Sequence, residues 1–124
     1  MDSSVVRFRF EKLNVWQKAI EYIELIYKIS QNFPKSEIFG LQSQLRRAAV
    51  SVALNIAEGS GRTTRKDFRK FLHDALGSLR ESVTALHIAL RLGYIDRIQF
   101  EKSYMIATEI SKMLYRLEQS LKDK

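Results

Sequence analysis

Apolar side chains return every three or four residues from Trp16 to Leu121, and the rhythm breaks clearly at three places: Asn32-Phe33-Pro34-Lys35, Gly59-Ser60-Gly61 and Leu92-Gly93-Tyr94. A period near 3.6 is the mark of amphipathic helices, and it leaves no room for a sheet. Val6, Phe8 and Phe10 alternate with Arg7 and Arg9, which suggests a few extended residues but is too short to found one.

The breaks divide the chain into four expected helices. The first runs from about Asn14, which has capping-box spacing to Gln17, to about Gln31. Its stripe reads Trp16, Ala19, Ile20, Ile23, Ile26 and Tyr27, giving way to the polar Ser30. Val15, Tyr22, Leu25 and Ile29 fall beside the stripe and widen the apolar face beyond what a monomer needs. Pro34 forbids continuation. The second helix starts between Ser36 and Gly40 and ends at Gly59, read as a left-handed stop, with Gly61 relaxing the turn. Leu41, Leu45, Ala48, Val52 and Ile56 form its stripe, and Ala48, Ala49, Ser51 and Ala53 permit close approach by a neighbour.

The third helix opens at Thr64-Arg65-Lys66-Asp67, a cap signature, and Gly93 stops it. Phe68, Phe71, Leu72, Ala75, Leu79, Val83, Leu86 and Leu90 mark its buried face. Asp96 with Gln99 caps a fourth helix reaching about Leu121. Its inner stripe is Ile106, Ile110, Met113, Leu117 and Leu121, with Phe100, Tyr104, Ala107 and Leu114 beside it. Four long helices with short connections predict an all-α, antiparallel up-down-up-down four-helix bundle. At 124 residues the chain is expected to be one domain, with residues 1–12 as a short tail.

Glycines between a helix and a basic segment raise the question of a phosphate loop. A nucleotide-binding loop needs a preceding strand and, in its commonest form, Gly-Lys-Ser/Thr after the glycines. Neither is present around Gly59 and Gly61. His73 and His87 lie fourteen residues apart on one expected helix, about 21 Å, too far to share a metal or act as a pair. Without cysteine, metalloprotease or nucleophile-elbow motifs, no catalytic residue, metal site or cofactor is expected, and the chain reads as non-enzymatic. The absence of cysteine fits a reducing cytoplasm, and the N-terminus lacks a signal-peptide core. The apolar-looking run Ala48 to Ala57 is too short and too polar to span a membrane.

Charge supplies the strongest functional signal. Twenty-one Lys and Arg against fourteen Asp and Glu leave a formal +7, which favours anionic partners. At 100° per residue, Arg65, Lys66, Arg69, Lys70, His73, Arg80, His87 and Arg91 share one sector of the third helix, while Asp67, Asp74 and Glu81 line the next edge. Arg62, Arg65, Lys66, Arg69 and Lys70 crowd its N-terminus with only Asp67 opposed. That end is already positive, so the cluster opposes local stability by a few tenths of a kcal/mol per charge. An anion bound there would offset the cost. Arg80 extends the stripe, which predicts nucleic-acid binding through phosphate contacts, weakly selective and salt-sensitive. A solvated face with Lys70–Asp74 pairing is the plainer alternative. Phe68 and Phe71 fall on the core side and are not expected to stack on bases.

Arg46 and Arg47 sit mid-helix among small residues. One of the two, Arg47 ahead of Arg46, is expected to turn inward or sideways to an ion pair with Glu81, while Glu58 should lie near Arg65. Gln44 and Asn55, polar groups near a core face, need partners if buried.

These residues also carry a resemblance. Phe10-x-x-Leu13-x-Val15-Trp16-x-x-Ala19, then Phe33-Pro34-x-x-Glu37-x-x-Gly40-Leu41-x-Ser43-Gln44-Leu45-Arg46-Arg47-Ala48-Ala49-x-Ser51-Val52, then Asn55-Ile56-Ala57-Glu58-Gly59 run through the first half. Gly77-Ser78-Leu79-x-Glu81 and Leu92-Gly93-Tyr94 complete the pattern. It resembles the 23S rRNA-intervening-sequence proteins, four-helix bundles found as reading frames in bacterial 23S rRNA genes and elsewhere. That family is similar in fold to the accessory variability protein of diversity-generating retroelements. The relative is a basic, barrel-like homopentamer that binds a reverse transcriptase and nucleic acid. The resemblance implies a ring-like homo-oligomer and makes Gln44, Arg47, Asn55, Glu58 and Glu81 family-motif positions without a catalytic role.

Three functions are compatible with this reading. The first is an oligomeric scaffold that binds nucleic acid, RNA before DNA, as accessory to an enzyme such as a reverse transcriptase. The second is a protein–protein interaction module that forms a homo-oligomer without nucleic acid. The third is an enzyme built on Gln44, Arg47, Asn55, Glu58 and Glu81, the one candidate cluster of convergent polar groups.

Overall fold

Helix starts and stops follow local chemistry closely in the computed structural model, which describes residues 8–122. Four long helices are present: α1 (Asn14–Ser30), α2 (Leu41–Ser60), α3 (Arg65–Arg91) and α4 (Arg97–Ser120). Short 3-10 turns at Arg9–Lys12 and Lys35–Glu37 precede α1 and α2. No strand occurs among the described residues. Of the extended segment expected near the N-terminus, Val6 and Arg7 lie outside the described residues, and Arg9 and Phe10 belong to the first 3-10 turn.

Two caps form as their spacing predicts. Thr64 Oγ1 accepts the Asp67 amide at 3.1 Å, and Asp96 with Gln99 closes a reciprocal capping box at 2.8 and 2.9 Å. Asn14 is no cap: it is the first helical residue, Leu13 holds the cap position, and Gln17 Nε2 donates instead to the Glu11 carbonyl at 2.9 Å. α2 begins at Leu41, just past the expected Ser36–Gly40 window, and Glu37 serves its start from outside. One Glu37 oxygen accepts the Leu41 amide at 3.0 Å and the other accepts the Tyr94 hydroxyl at 2.9 Å. These bonds hold the Glu37 carboxyl below the ordinary range, the Leu41 amide contributing most, and the Tyr94–Glu37 bond raises the Tyr94 phenol. The α1–α2 and α3–α4 connections are thereby tied at one end of the bundle.

Gly93 stops α3 as expected, while Gly59 takes a different role from the one expected. Gly59 is not a left-handed stop, since Gly93, at φ 77°, is the one glycine with positive φ among the described residues. The α3 terminus is a complete Schellman motif, with Tyr94 N–H on the Ala89 carbonyl at 2.8 Å and Gly93 N–H on Leu90 at 3.1 Å. Gly59 lies inside α2, buried, where a Cβ would come 2.7 Å from Phe71 Cβ and 3.0 Å from Phe68 Cδ1. Its smallness serves packing.

Side chains from all four helices fill the core, and α2 against α3 is the most intimate pairing. Leu45, Ala48, Ala49, Val52, Ala53 and Ile56 of α2 are buried, so its small residues act as expected. Two faces are rotated from expectation. α1 buries Val15, Ala19, Tyr22, Ile26 and Ile29, while Trp16, Ile20 and Ile23 are only half-buried and Tyr27 is exposed. α4 buries Phe100, Ser103, Ala107, Ile110, Leu114 and Glu118, leaving Ile106, Met113, Leu117 and Leu121 at the margins and Tyr104 exposed. Both helices are apolar over more than one stripe, so neighbouring helices decide which stripe faces inward.

Interior polar groups explain the choice on α1. Tyr22 is wholly buried with its hydroxyl 2.7 Å from Ser82 Oγ. Ser82 spends its single proton on the Leu79 carbonyl at 2.7 Å, so Tyr22 must be the donor. Burial pushes the Tyr22 phenol up to about 12. Ser30, also buried, accepts from Arg46 Nε at 2.9 Å, while the Ser30 and Tyr27 carbonyls accept from Gln42 and Arg46 at 2.8 and 3.2 Å. Arg46, 4.4 Å from the Tyr27 ring centroid, therefore shares with Gln42 the satisfaction of the C-terminal carbonyls of α1.

Candidate nucleic-acid interface

The corner between α2 and α3 collects the basic residues. Gly61 and Arg62 close the end of α2 by donating to the Glu58 and Gly59 carbonyls at 3.3 and 3.1 Å. Two residues later the Thr64 cap launches α3, so Arg62, Arg65 and Lys66 surround one helix N-terminus. Arg9 approaches from the N-terminal 3-10 turn, its Nη1 3.4 Å from the Ser60 carbonyl. Arg9, Arg62 and Arg65 with Thr63 and Thr64 line a cavity of about 210 Å³ floored by Phe68 and Leu121. Guanidinium groups, hydroxyls and a helix N-terminus form an arrangement that can receive an oxyanion.

The expected basic residues separate into three kinds. Arg65, Lys66 and Lys70 are exposed and form no ion pair among the described residues, and the expected Lys70–Asp74 pairing does not form. Arg62 is exposed but positioned: its guanidinium sits 4.7 Å from the Phe71 ring centroid and 3.8 Å from Glu58 Oε1. Arg69 departs most. Its Nε and Nη2 reach the same oxygen of Glu118 at 3.3 and 3.0 Å, and His73 Nε2 lies 3.2 Å from that oxygen. The cluster is thus not opposed by Asp67 alone. Glu118, 8% exposed on the inner face of α4, takes one cation out of the outward set. The Arg69 hydrogen bonds, then its charge, then His73 and Lys122, keep the Glu118 carboxyl below the usual carboxylate range against the opposing effect of burial. Nothing local in the sequence marks this pair, because its partners are 49 residues apart. Arg80 is exposed farther along α3, on the rim of the seam with α4.

The family-motif polar residues are brought together in part. Gln44, Arg47, Ser51 and Glu81 line one cavity of about 280 Å³ between α2 and α3. Arg47 and Glu81 form no ion pair there, and both are exposed, as is Gln44. The inward arginine is Arg46, one position earlier, which meets the Tyr27 carbonyl and the Ser30 hydroxyl of α1 instead of a carboxylate. Asn55 finds its partners one turn back, donating to the Ser51 carbonyl and hydroxyl at 2.9 and 3.1 Å, and Ser78 links the same hydroxyl to α3 at 2.9 Å. Glu58 belongs to the Arg62 corner, not to Arg65 or this cavity. Phe68 is buried and Phe71 half-buried, both on the core side.

Among the described residues, no group of three potential metal-ligating side chains converges, and no helix is long and apolar enough to cross a membrane. No curated protein matches the sequence. A solved structure is similar over most of the chain: a protein with unknown function from the S23 ribosomal protein family of Bacteroides thetaiotaomicron VPI-5482. It is 30% identical with a TM-score of 0.76, and the match covers 85% of this chain and 98% of that one. The family model described as 23S rRNA-intervening sequence protein matches residues 11–116, all four helices except the last turn of α4. On that match the chain belongs to the 23S rRNA-intervening sequence protein family.

Proposed function

We propose that the protein is a non-enzymatic, oligomeric scaffold that binds nucleic acid, RNA before DNA, through the basic corner of α2 and α3. The observation that carries the reading is the cavity of Arg9, Arg62, Arg65, Thr63 and Thr64, beside the unpaired Lys66 and Lys70. Cations gathered where a helix end is already positive lower stability unless an anion is recruited, and a polyphosphate backbone supplies several. Membership of a family named for 23S rRNA insertions is compatible with RNA as that anion.

The test is anisotropy titration of a fluorescein-labelled RNA hairpin. Affinity should fall linearly on a log–log salt scale, losing on the order of a hundredfold to a thousandfold between about 50 and 200 mM for roughly four to six neutralised phosphates. Joint reversal of Arg65, Lys66 and Lys70 to Glu should abolish binding with helix content unchanged. Absence of binding at low salt, or indifference to the reversal, overturns the reading.

A homo-oligomer without nucleic acid is the second reading. It is favoured by Phe39, 97% exposed at the α1–α2 connection, and by the exposed Ile98, Met105 and Leu54. Light scattering tests the assembly in both: a strict monomer at micromolar concentration excludes it.

A further inference from the structure

The seam between α3 and α4 is open along much of its length. At the Arg69–Glu118 end, a cavity of about 270 Å³ lies between Leu72, Leu76 and Leu114, with Tyr115 and Lys122 on its α4 wall. Leu76 also borders the next cavity, about 630 Å³, whose floor is Leu79, Val83 and Ala107 and whose rim carries Arg80 and Lys112 on opposite walls. Leu121 and Lys122 place the lower end beside the arginine-lined corner. The two cavities, which share Leu76, form one furrow about 27 Å long between Lys122 and Tyr104 at helical rise, and the corner lies next to its lower end.

Its chemistry is specific. Tyr104 and Tyr115 are eleven residues apart, a near-whole number of helical turns, so both stand on the α4 edge facing the furrow. Tyr115 is 63% exposed and Tyr104 43%. The Tyr104 ring is held flat by Phe100, 5.6 Å away at 26°, and by the edge of His87 at 6.2 Å. Arg80 and Lys112 form no ion pair among the described residues. Glu118, the one carboxylate lining the furrow among the described residues, is paired with Arg69. An apolar floor, two exposed tyrosine rings and rim cations without an ion pair among the described residues match unpaired bases joined by phosphates. A duplex presents its backbone outward and could use the basic corner, but not the tyrosine faces.

The geometry points to the α3–α4 furrow as a binding track for single-stranded nucleic acid, with bases on Tyr104 and Tyr115 and phosphates on Arg80 and Lys112. This rests on the nucleic-acid reading above and adds strand selectivity to it.

The experiment compares a fluorescein-labelled 12-nucleotide oligouridylate with a 12-base-pair RNA duplex, on the full chain and two variants. Tyr104→Leu with Tyr115→Leu keeps apolar bulk at exposed sites, and circular dichroism verifies its helix content. That variant should weaken the single strand tenfold or more and change the duplex less than about twofold. The Arg65, Lys66 and Lys70 reversal should weaken both ligands. If the tyrosine variant binds the single strand as tightly as the parent while the charge reversal still weakens both ligands, the furrow proposal falls and the basic corner stands. No binding of either ligand at low salt overturns both. Loss of self-association in the tyrosine variant, with strand binding intact, makes the furrow a contact between copies and also overturns the proposal.

Discussion

Gly59 of α2 faces Phe71 of α3 so closely that a methyl group on its Cα would stand 2.7 Å from Phe71 Cβ. Two effects of Gly59→Ala compete. Alanine favours a helix interior by about 1 kcal/mol over glycine, whereas overpacking a close helix contact costs about 1–3 kcal/mol. The atoms the added methyl would meet include the Phe71 Cβ and the Phe68 carbonyl, which cannot move without their helix. The clash should win, lowering the denaturation midpoint, while Gly77→Ala, where nothing lies within 4 Å, should raise it slightly. Equal stabilisation by both would contradict the close approach.

Tyr22 and Ser82 should respond asymmetrically. Tyr22→Phe removes a donor and should cost about 1 kcal/mol, whereas Ser82→Ala strands a buried hydroxyl and should cost about 1–3 kcal/mol. The folded phenol is raised to about 12, so the unfolded chain ionises first. The contribution is complete below about pH 10 and is lost as pH rises toward 12. Urea titrations across that range should show a steeper alkaline loss in the parent than in Tyr22→Phe, and parallel curves would refute the assignment.

Arg46 and Arg47 should differ sharply despite being neighbours. Arg46→Ala removes hydrogen bonds to Ser30 and Tyr27 and a ring contact, and should destabilise by roughly 1–2 kcal/mol. Arg47→Ala, at an exposed side chain without an ion pair among the described residues, should stay within about 0.5 kcal/mol. Thermal melts of the two variants decide the point, and a reversed order would restore Arg47 as the inward arginine.

Glu118→Gln should lower stability at neutral pH and lose that effect in acid. The folded carboxyl is depressed, so its contribution is present above the ordinary glutamate range and disappears as pH falls through the lowered value. Denaturation midpoints of parent and variant should therefore converge between pH 7 and pH 3. A gap that persists unchanged at the acid end would show that the Arg69 interaction does not depend on carboxylate ionisation.

What the sequence disclosed and what it hid divide along the range of the interaction. Thr64 with Asp67, Asp96 with Gln99, and Gly93 act within one turn, so the α3 and α4 starts and the α3 end were legible. The facing stripes of α1 and α4 were not, because both helices are apolar over a wide arc and Tyr22 needs a hydroxyl sixty residues away. Clustering exposed the charge at Arg62, Arg65, Lys66 and Lys70, but the removal of Arg69 by Glu118 required the antiparallel alignment of α3 with α4. Arg47 and Glu81 reach the same cavity, so their level was right, yet side-chain direction within a turn decided against pairing.

The seam that leaves room for a ligand also leaves α4 the least tightly seated helix against its neighbours, while α2 and α3 interlock through alanines and Gly59. Breathing of the molecule should then be unequal: α4 peels from a three-helix remainder before that remainder dissolves, so its amide protons trade with solvent earliest among the helices. Anything lodged in the seam would act as a clasp on that motion, slowing exchange along α4 without touching most of its backbone.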